Sequence, residues 1–244
     1  MNKLFTKLYT KTRHEYYIQL SKYLDNETCK FIVTANPETF TLAQRDFEIS
    51  DIITNENNDI IPDGIAVVKA ARFYGIEVAE RITGIDTAVQ ILELLNNKKK
   101  TLYLFGAQRE VLARLEEKIK KEYPRIKILG TSDGYIEDKD SVMEHIISLK
   151  PDTCLVALGI PEQEKLIARH ISKATKGIYM GVGGTFDVLS GTKKRAPKIF
   201  IKLNLEWLYR IIKEPSRIKR FWNNNVAFVI KSFFEKKNKN EIPK

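Results

Sequence analysis

The sequence predicts an α/β protein: a Rossmann-like parallel-sheet core with helices on both faces, followed by a basic helical appendage. Three observations carry this. From Thr101 onward, short apolar runs alternate with longer amphipathic stretches, the pattern of βαβ units. The apolar run 177–182 leads into Gly181-Val-Gly183-Gly184-Thr185 and a helix start, an arrangement suited to a phosphate or nucleotide. Charge is split along the chain. Residues 192–244 hold 15 of the 41 Lys and Arg but 4 of the 31 Asp and Glu, net +11 in a chain whose total is +10. The body is therefore nearly neutral and the tail basic, which implies an anionic partner.

In chain order, residues 1–28 are polar with helical spacing, and Leu4, Leu8, Ile18, Leu20 and Leu24 form one apolar face. A strand at 30–35 ends in Thr34-Ala-Asn36-Pro37, where Asn36 caps a helix that Pro37 opens and that runs to about 48. A polar loop at 55–59 precedes a short strand, 60–64, and a helix, 65–73. Residues 81–86 read as a loop before a helix at 87–96, which Lys98–Lys100 terminate. Regular alternation follows: strands at 101–105, 126–130, 153–158 and 178–182, with helices at 108–123, 141–149, 161–173 and 185–189. Ligands of such sheets bind beyond the carboxyl ends of the strands. The polar residues there are Thr34, Asn36, Asp63, Gln108, Gln163 and the 181–187 turn, with Lys193, Lys194 and Arg195 close behind.

Residues 197–235 are helical, basic and aromatic. Ile199, Phe200, Leu203, Trp207, Leu208, Ile211 and Ile212 make a broad apolar face, part of which packs on the core. Beyond it, Trp222, Val226, Phe228, Val229, Phe233 and Phe234 interleave with Arg and Lys, as in a segment lying in a membrane interface. The expected division is a catalytic core, 1–195, a membrane-associating appendage, 196–235, and a disordered tail, 236–244. Apolar surface on the appendage also favours self-association away from a membrane. Cys29 and Cys154 make no disulfide framework and fit a reducing compartment. With no apolar leader and no run of about 18 apolar residues, the expected location is cytoplasmic, peripheral on the inner membrane face.

Several motifs then fall in register: Thr34-Ala-Asn36-Pro-Glu38, Pro62-Asp63-Gly64, Arg81-Ile-Thr-Gly84-Ile-Asp86, Phe105-Gly106-Ala107, Ala157-Leu-Gly-Ile-Pro-Glu-Gln163-Glu164, Gly181–Asp187, Arg195-Ala-Pro197 and Leu205-Glu-Trp-Leu208 with Glu214-Pro-Ser-Arg217 and Arg220. Together, over roughly 30–222, they resemble the WecG/TagA/CpsF family of glycosyltransferases. Residues 1–28 lack the opening strand and Gly-Val-x-Ile segment usual there.

The resemblance implies transfer of a sugar, often N-acetylmannosamine, from a UDP-sugar to a polyprenyl-diphosphate-linked sugar, in the TagA branch during wall teichoic acid assembly. It further implies an inverting, metal-independent reaction, a membrane surface as partner, and no cofactor. Asp63 stands at the family's catalytic position as the base; read alone, it is a turn-former in Pro-Asp-Gly. Thr34 and Asn36 would offer a hydroxyl and an amide to the sugar, and Arg81 and Gln163 would hold hydroxyls or phosphates. Gly181, Gly183 and Gly184 would admit the nucleotide diphosphate, with Asp187 on the uridine. Arg210, Arg217 and Arg220 would pair with a diphosphate. Plainer roles exist for some: a helix cap for Asn36, a surface arginine for Arg81, a first-turn acid for Asp187.

His14, His145 and His170 are dispersed, and Asp138-Lys-Asp140, formally Asp-x-Asp, sits where a helix cap belongs. The alternative reading, a nucleic-acid-binding module with a basic arm, explains the charge but not the polar strand ends. A nicotinamide oxidoreductase would need its glycine fingerprint at an early strand.

Overall fold

The computed structural model describes residues 2–216, 218–219 and 222–232. Arg217, Arg220, Phe233, Phe234 and the 236–244 tail lie outside the described residues.

Six strands form one all-parallel sheet: β1 (Lys30–Ala35), β2 (Asn58–Pro62), β3 (Thr101–Gly106), β4 (Lys127–Ser132), β5 (Thr153–Ala157) and β6 (Ile178–Gly181), in the order β2-β1-β6-β5-β3-β4. Successive strand side chains point to opposite faces, and the two cores divide accordingly. Phe31, Val33, Tyr103, Phe105, Val156 and Tyr179 enter one; Ile32, Leu102, Leu104, Leu155, Ile178 and Met180 enter the other. Over the first face lie α1 (Asn2–Phe5), α3 (Pro37–Ala43), α4 (Phe47–Thr54), α5 (Ile65–Phe73), α8 (Lys139–Ser148) and α9 (Glu162–His170). Over the second lie α2 (Arg13–Asp25), α6 (Gly84–Lys98), α7 (Arg109–Glu122) and α10 (Thr185–Leu189). This is the expected doubly covered sheet. Beyond it come α11 (Lys198–Lys202), α12 (Glu206–Lys213) and a terminal helical segment, 222–232.

Four local expectations are corrected. The helix begun at Pro37 breaks at Arg45-Asp46, because the Asp46 carboxylate accepts the Glu48 and Ile49 N–H groups and caps a second helix, α4. Residues 84–86 are helix, not loop: Thr83 caps α6 by accepting the Asp86 N–H. The N-terminal stretch is not one amphipathic helix. Leu4, Leu8, Leu20 and Leu24 are buried, but Ile18 is exposed, and Leu8 forms a single parallel bridge to Ile60 beside β2. Finally, Phe228 is core rather than interface. It is buried against Phe5 and Phe40, at ring separations of 6.1 and 5.9 Å, and fixes the terminal segment to α1 and α3.

Candidate active site

β1 and β6 are neighbours in space yet stand at opposite ends of the core sequence, and a crevice opens at their carboxyl ends. Thr34 Oγ1, buried in that crevice, donates to the Gly181 carbonyl at 3.4 Å and joins the two strand ends. Above lies a cavity of about 1420 Å³ between the sheet and the appendage. Single-ligand pockets are typically ~300–1,000 Å³, so this space is larger than one small ligand usually fills. Thr34, Asn36, Asp63, Arg81, Gln163, Gly183, Gly184, Asp187 and Arg210 all line it. Gly181 sits just below, in β6, and Gln108 is not among the lining residues.

Asp63 is half-buried and directly follows β2 at its carboxyl end. Its Oδ2 accepts the Gly84 N–H at 3.1 Å, the first amide of α6, whose positive helix end favours an anion. Burial still raises its carboxyl above the usual Asp range, opposed by the Gly84 N–H and by the Arg81 and Arg210 charges and reinforced by Glu206. A side chain at Gly84 would come within 2.9 Å of Thr34 Cγ2, so the position must be glycine for α6 to approach Asp63. Asn36 is the cap its plainer role foresaw: its Oδ1 accepts from Glu38 and Thr39 N–H at 2.8 and 3.1 Å. That leaves its NH2 as the group it can offer the cavity.

Arg81 is placed differently from expectation. Its Nη2 donates to Glu206 Oε2 at 2.9 Å, both side chains largely buried, so it is neither a surface arginine nor uncommitted to an anion. Arg195, expected in a phosphate-binding cluster, donates instead to Asp86 Oδ1 at 2.7 Å and faces Glu206 Oε1 at 3.7 Å. Lys193 pairs with Glu214 at 3.3 Å. Of that trio, Lys193 and Lys194 line the cavity. Glu206 is the residue that sequence reasoning missed. Its signals were its place in the Leu205-Glu-Trp-Leu208 motif and its being an acid set among Lys198, Lys202, Arg210 and Lys213.

The glycine turn is also built differently. Only Gly183 takes a positive φ, +48°. Gly181 is required by packing: a Cβ there would meet Gln163 Nε2 at 2.6 Å. Gln163 is itself a buried staple. Its Oε1 accepts the Gly159 and Gly183 N–H groups at 3.2 and 3.0 Å, tying the loops after β5 and β6, while its Nε2 donates to Glu164 Oε1 at 2.8 Å. It shapes the turn rather than presenting a spare amide to hydroxyls. Asp187 lies in the first turn of α10 and lines the cavity, with Lys193 Nζ at 4.0 Å. Because α10 is short and the Gly183 and Thr185 amides are engaged, the helix-dipole argument for an anion here loses most of its force.

Glu164 is buried, and desolvation pushes its carboxyl up to about 7. A raised carboxylate contributes stability that is complete below the unfolded value and is lost as pH rises through the folded one. Glu164→Gln is therefore expected to gain stability over the parent as pH rises from the ordinary Glu range to about 7 and to keep that gain above it, with the two converging near pH 4. Urea melts across that range check it; a constant difference between the two would contradict it.

Asp138 caps α8 by accepting the Ser141 N–H, as expected. Asp140 bonds His170 and Arg169 at the surface. Among the described residues, no three His, Cys, Asp or Glu side chains cluster as a metal would need, and no helix is long and apolar enough to cross a membrane.

Comparison with known proteins agrees with the motifs. Curated N-acetylglucosaminyldiphosphoundecaprenol N-acetyl-beta-D-mannosaminyltransferases are similar to this chain. The protein of Bacillus subtilis (strain 168) is 43% identical over 198 residues, 81% of this chain and 77% of the relative. That of Bacillus spizizenii (strain ATCC 23059 / NRRL B-14472 / W23) is 39% identical over the same shares. That of Staphylococcus aureus (strain MW2) is 38% identical over 191 residues, 78% and 74%. Residues 3–242 match the Glycosyl transferase WecG/TagA/CpsF family, and the chain belongs to that family of glycosyltransferases.

Proposed function

We propose that this enzyme transfers N-acetylmannosamine from its UDP derivative to a polyprenyl-diphosphate-linked GlcNAc, in teichoic acid or surface polysaccharide synthesis, with inversion and without a metal. The observation that carries the reading is one cavity, larger than a typical single-ligand pocket, lined by Asp63 and by Lys194, Arg210 and Lys213. The acceptor and product classes are those in the names of the similar transferases.

In the proposed step the Asp63 carboxylate takes the proton of the acceptor hydroxyl. That oxygen bonds to the anomeric carbon as the carbon's bond to the diphosphate oxygen breaks on the opposite face, and UDP departs with the electron pair. One positioned base suffices for such a displacement. The growing charge on the diphosphate is met by Lys194, Arg210 and Lys213, which line the cavity, the part a divalent ion would otherwise play. Gly183 and Gly184 leave room beside the turn for the diphosphate.

A membrane surface fits the appendage. Ile199, Leu203, Ile212, Ile218, Trp222, Val229 and Ile230 are exposed on a segment rich in lysine, the composition that inserts into an anionic interface. A nucleotide-sugar donor puts this on the cytoplasmic side.

The reading is tested by UDP release from a panel of UDP-sugars with a short-chain prenyl-diphosphate-GlcNAc acceptor, with and without EDTA. Release with one donor, dependent on acceptor and unchanged by chelation, is expected. No release across the panel, or release abolished by EDTA and restored by Mg²⁺, would overturn it in substrate or in metal independence respectively.

A further inference from the structure

The appendage helix α12 buries no apolar residue. Its single buried residue is Glu206, 8% exposed, while Ile212 on the same helix is 61% exposed. Leu208, Tyr209 and Ile211 are only half-buried, Tyr209 against Phe200 of α11 at a ring separation of 5.5 Å, so the most deeply buried contact of α12 with the core is ionic. Glu206 receives one arginine from each side: Arg81 from the loop before α6, and Arg195 from the segment after α10.

The pairing continues inward. Arg195 Nη2 bonds Asp86 at 2.7 Å; Asp86 Oδ2 accepts from Thr83 Oγ1 at 2.6 Å; Thr83 caps α6; and the next residue, Gly84, donates its N–H to Asp63. A continuous polar chain thus joins Glu206 to the carboxylate at the cavity floor. Arg210 follows Glu206 by four residues, so both lie on one helix face. Where Glu206 is anchored, Arg210 must overhang the cavity, which it lines. Another tie of this region, Lys193 to Glu214, is solvent-exposed and of a kind that contributes little.

We propose that Glu206 is a positioning residue: its carboxylate docks α12 on the core through Arg81 and Arg195, and so sets Arg210 over the Asp63 end of the cavity. The link from Arg210 to turnover rests on the function proposed above; the docking of α12 does not. Two buried atoms, Glu206 Oε1 and Arg195 Nε, face each other without a hydrogen-bond partner in either. They stand less than 1 Å beyond hydrogen-bond range, so slight inward movement of α12 would complete the fork.

Two measurements on the full chain test this. In hydrogen exchange, the amides of 206–213 in Glu206→Ala are expected to exchange about tenfold faster than in the parent, with the β1 and β6 amides unchanged. Glu206→Gln, which keeps an oxygen acceptor for Arg81, should fall between. Equal protection of α12 in Glu206→Ala and the parent would overturn the docking role, whatever the enzyme's reaction.

In kinetics, Glu206→Ala and Arg210→Ala are each expected to lower kcat about 100-fold. If Glu206 acts through Arg210, the double variant loses less than about threefold beyond Arg210→Ala. A full further 100-fold loss in the double variant would show Glu206 acting independently of Arg210, and would overturn the positioning role.

Discussion

Asp63→Asn is expected to lose about 10²–10⁴-fold in turnover, to retain its affinity for UDP, and to be more stable than the parent at neutral pH. The substitution keeps volume and an oxygen that can accept the Gly84 N–H, so the end of β2 and the start of α6 should stay in place. What goes is the partly desolvated charge. Asp63's carboxyl is raised by burial, so it opposes folding wherever it is ionised. Its stabilising contribution is complete below the ordinary Asp value and lost as pH rises through the folded value. The stability gain of Asp63→Asn should therefore grow with pH through that interval and then level off. Initial rates, UDP calorimetry and urea melts at several pH values measure the three effects. Near-normal turnover would remove Asp63 as the base. A destabilised variant at pH 8 would show that its carboxylate is held by partners stronger than the Gly84 amide and the two arginines.

Arg210→Ala is expected to reduce kcat by about 10²–10³-fold, the loss seen when one group that stabilises developing charge is removed. It should also move the acidic limb of the kcat/KM profile. The Arg210 charge favours ionised Asp63; without it the carboxyl rises further, and the pH at which activity falls off moves upward. A variant slowed but with its limb in place would mean that Arg210 serves the diphosphate alone. An unchanged rate would mean that it serves neither.

The core was readable from the sequence because its signals are local. Apolar runs and amphipathic stretches alternate from Thr101 to Leu189, and the parallel sheet follows from them. The Asn36 cap and the Asp138 cap were equally plain. Two boundaries were missed where a polar residue caps a helix inside what looks like a loop or a continuous helix: Thr83, whose Thr-x-x-Asp spacing to Asp86 was the available signal, and Asp46.

The site was legible in membership and less so in bonding. Thr34, Asn36, Asp63, Arg81, Gln163, Asp187 and Arg210 do meet around one cavity. Sequence spacing carries no information about which of them bond each other across the fold. Arg81 and Glu206 are 125 residues apart, and Gln163 reaches the Gly183 amide 20 residues on. Likewise Phe228 carried the same aromatic signal as exposed Trp222, and only the pocket formed by Phe5 and Phe40 separates them.

The most direct test of the proposed reaction is the product itself. The purified protein, UDP-N-acetylmannosamine and a short-chain prenyl-diphosphate-GlcNAc should give an acceptor heavier by one N-acetylhexosamine, with the new bond opposite in anomeric configuration to the donor's, and Asp63→Asn should give none. A product of retained configuration would contradict direct displacement with Asp63 as base. Consumption of the donor with no change in the acceptor would contradict the assignment of the cavity to two substrates.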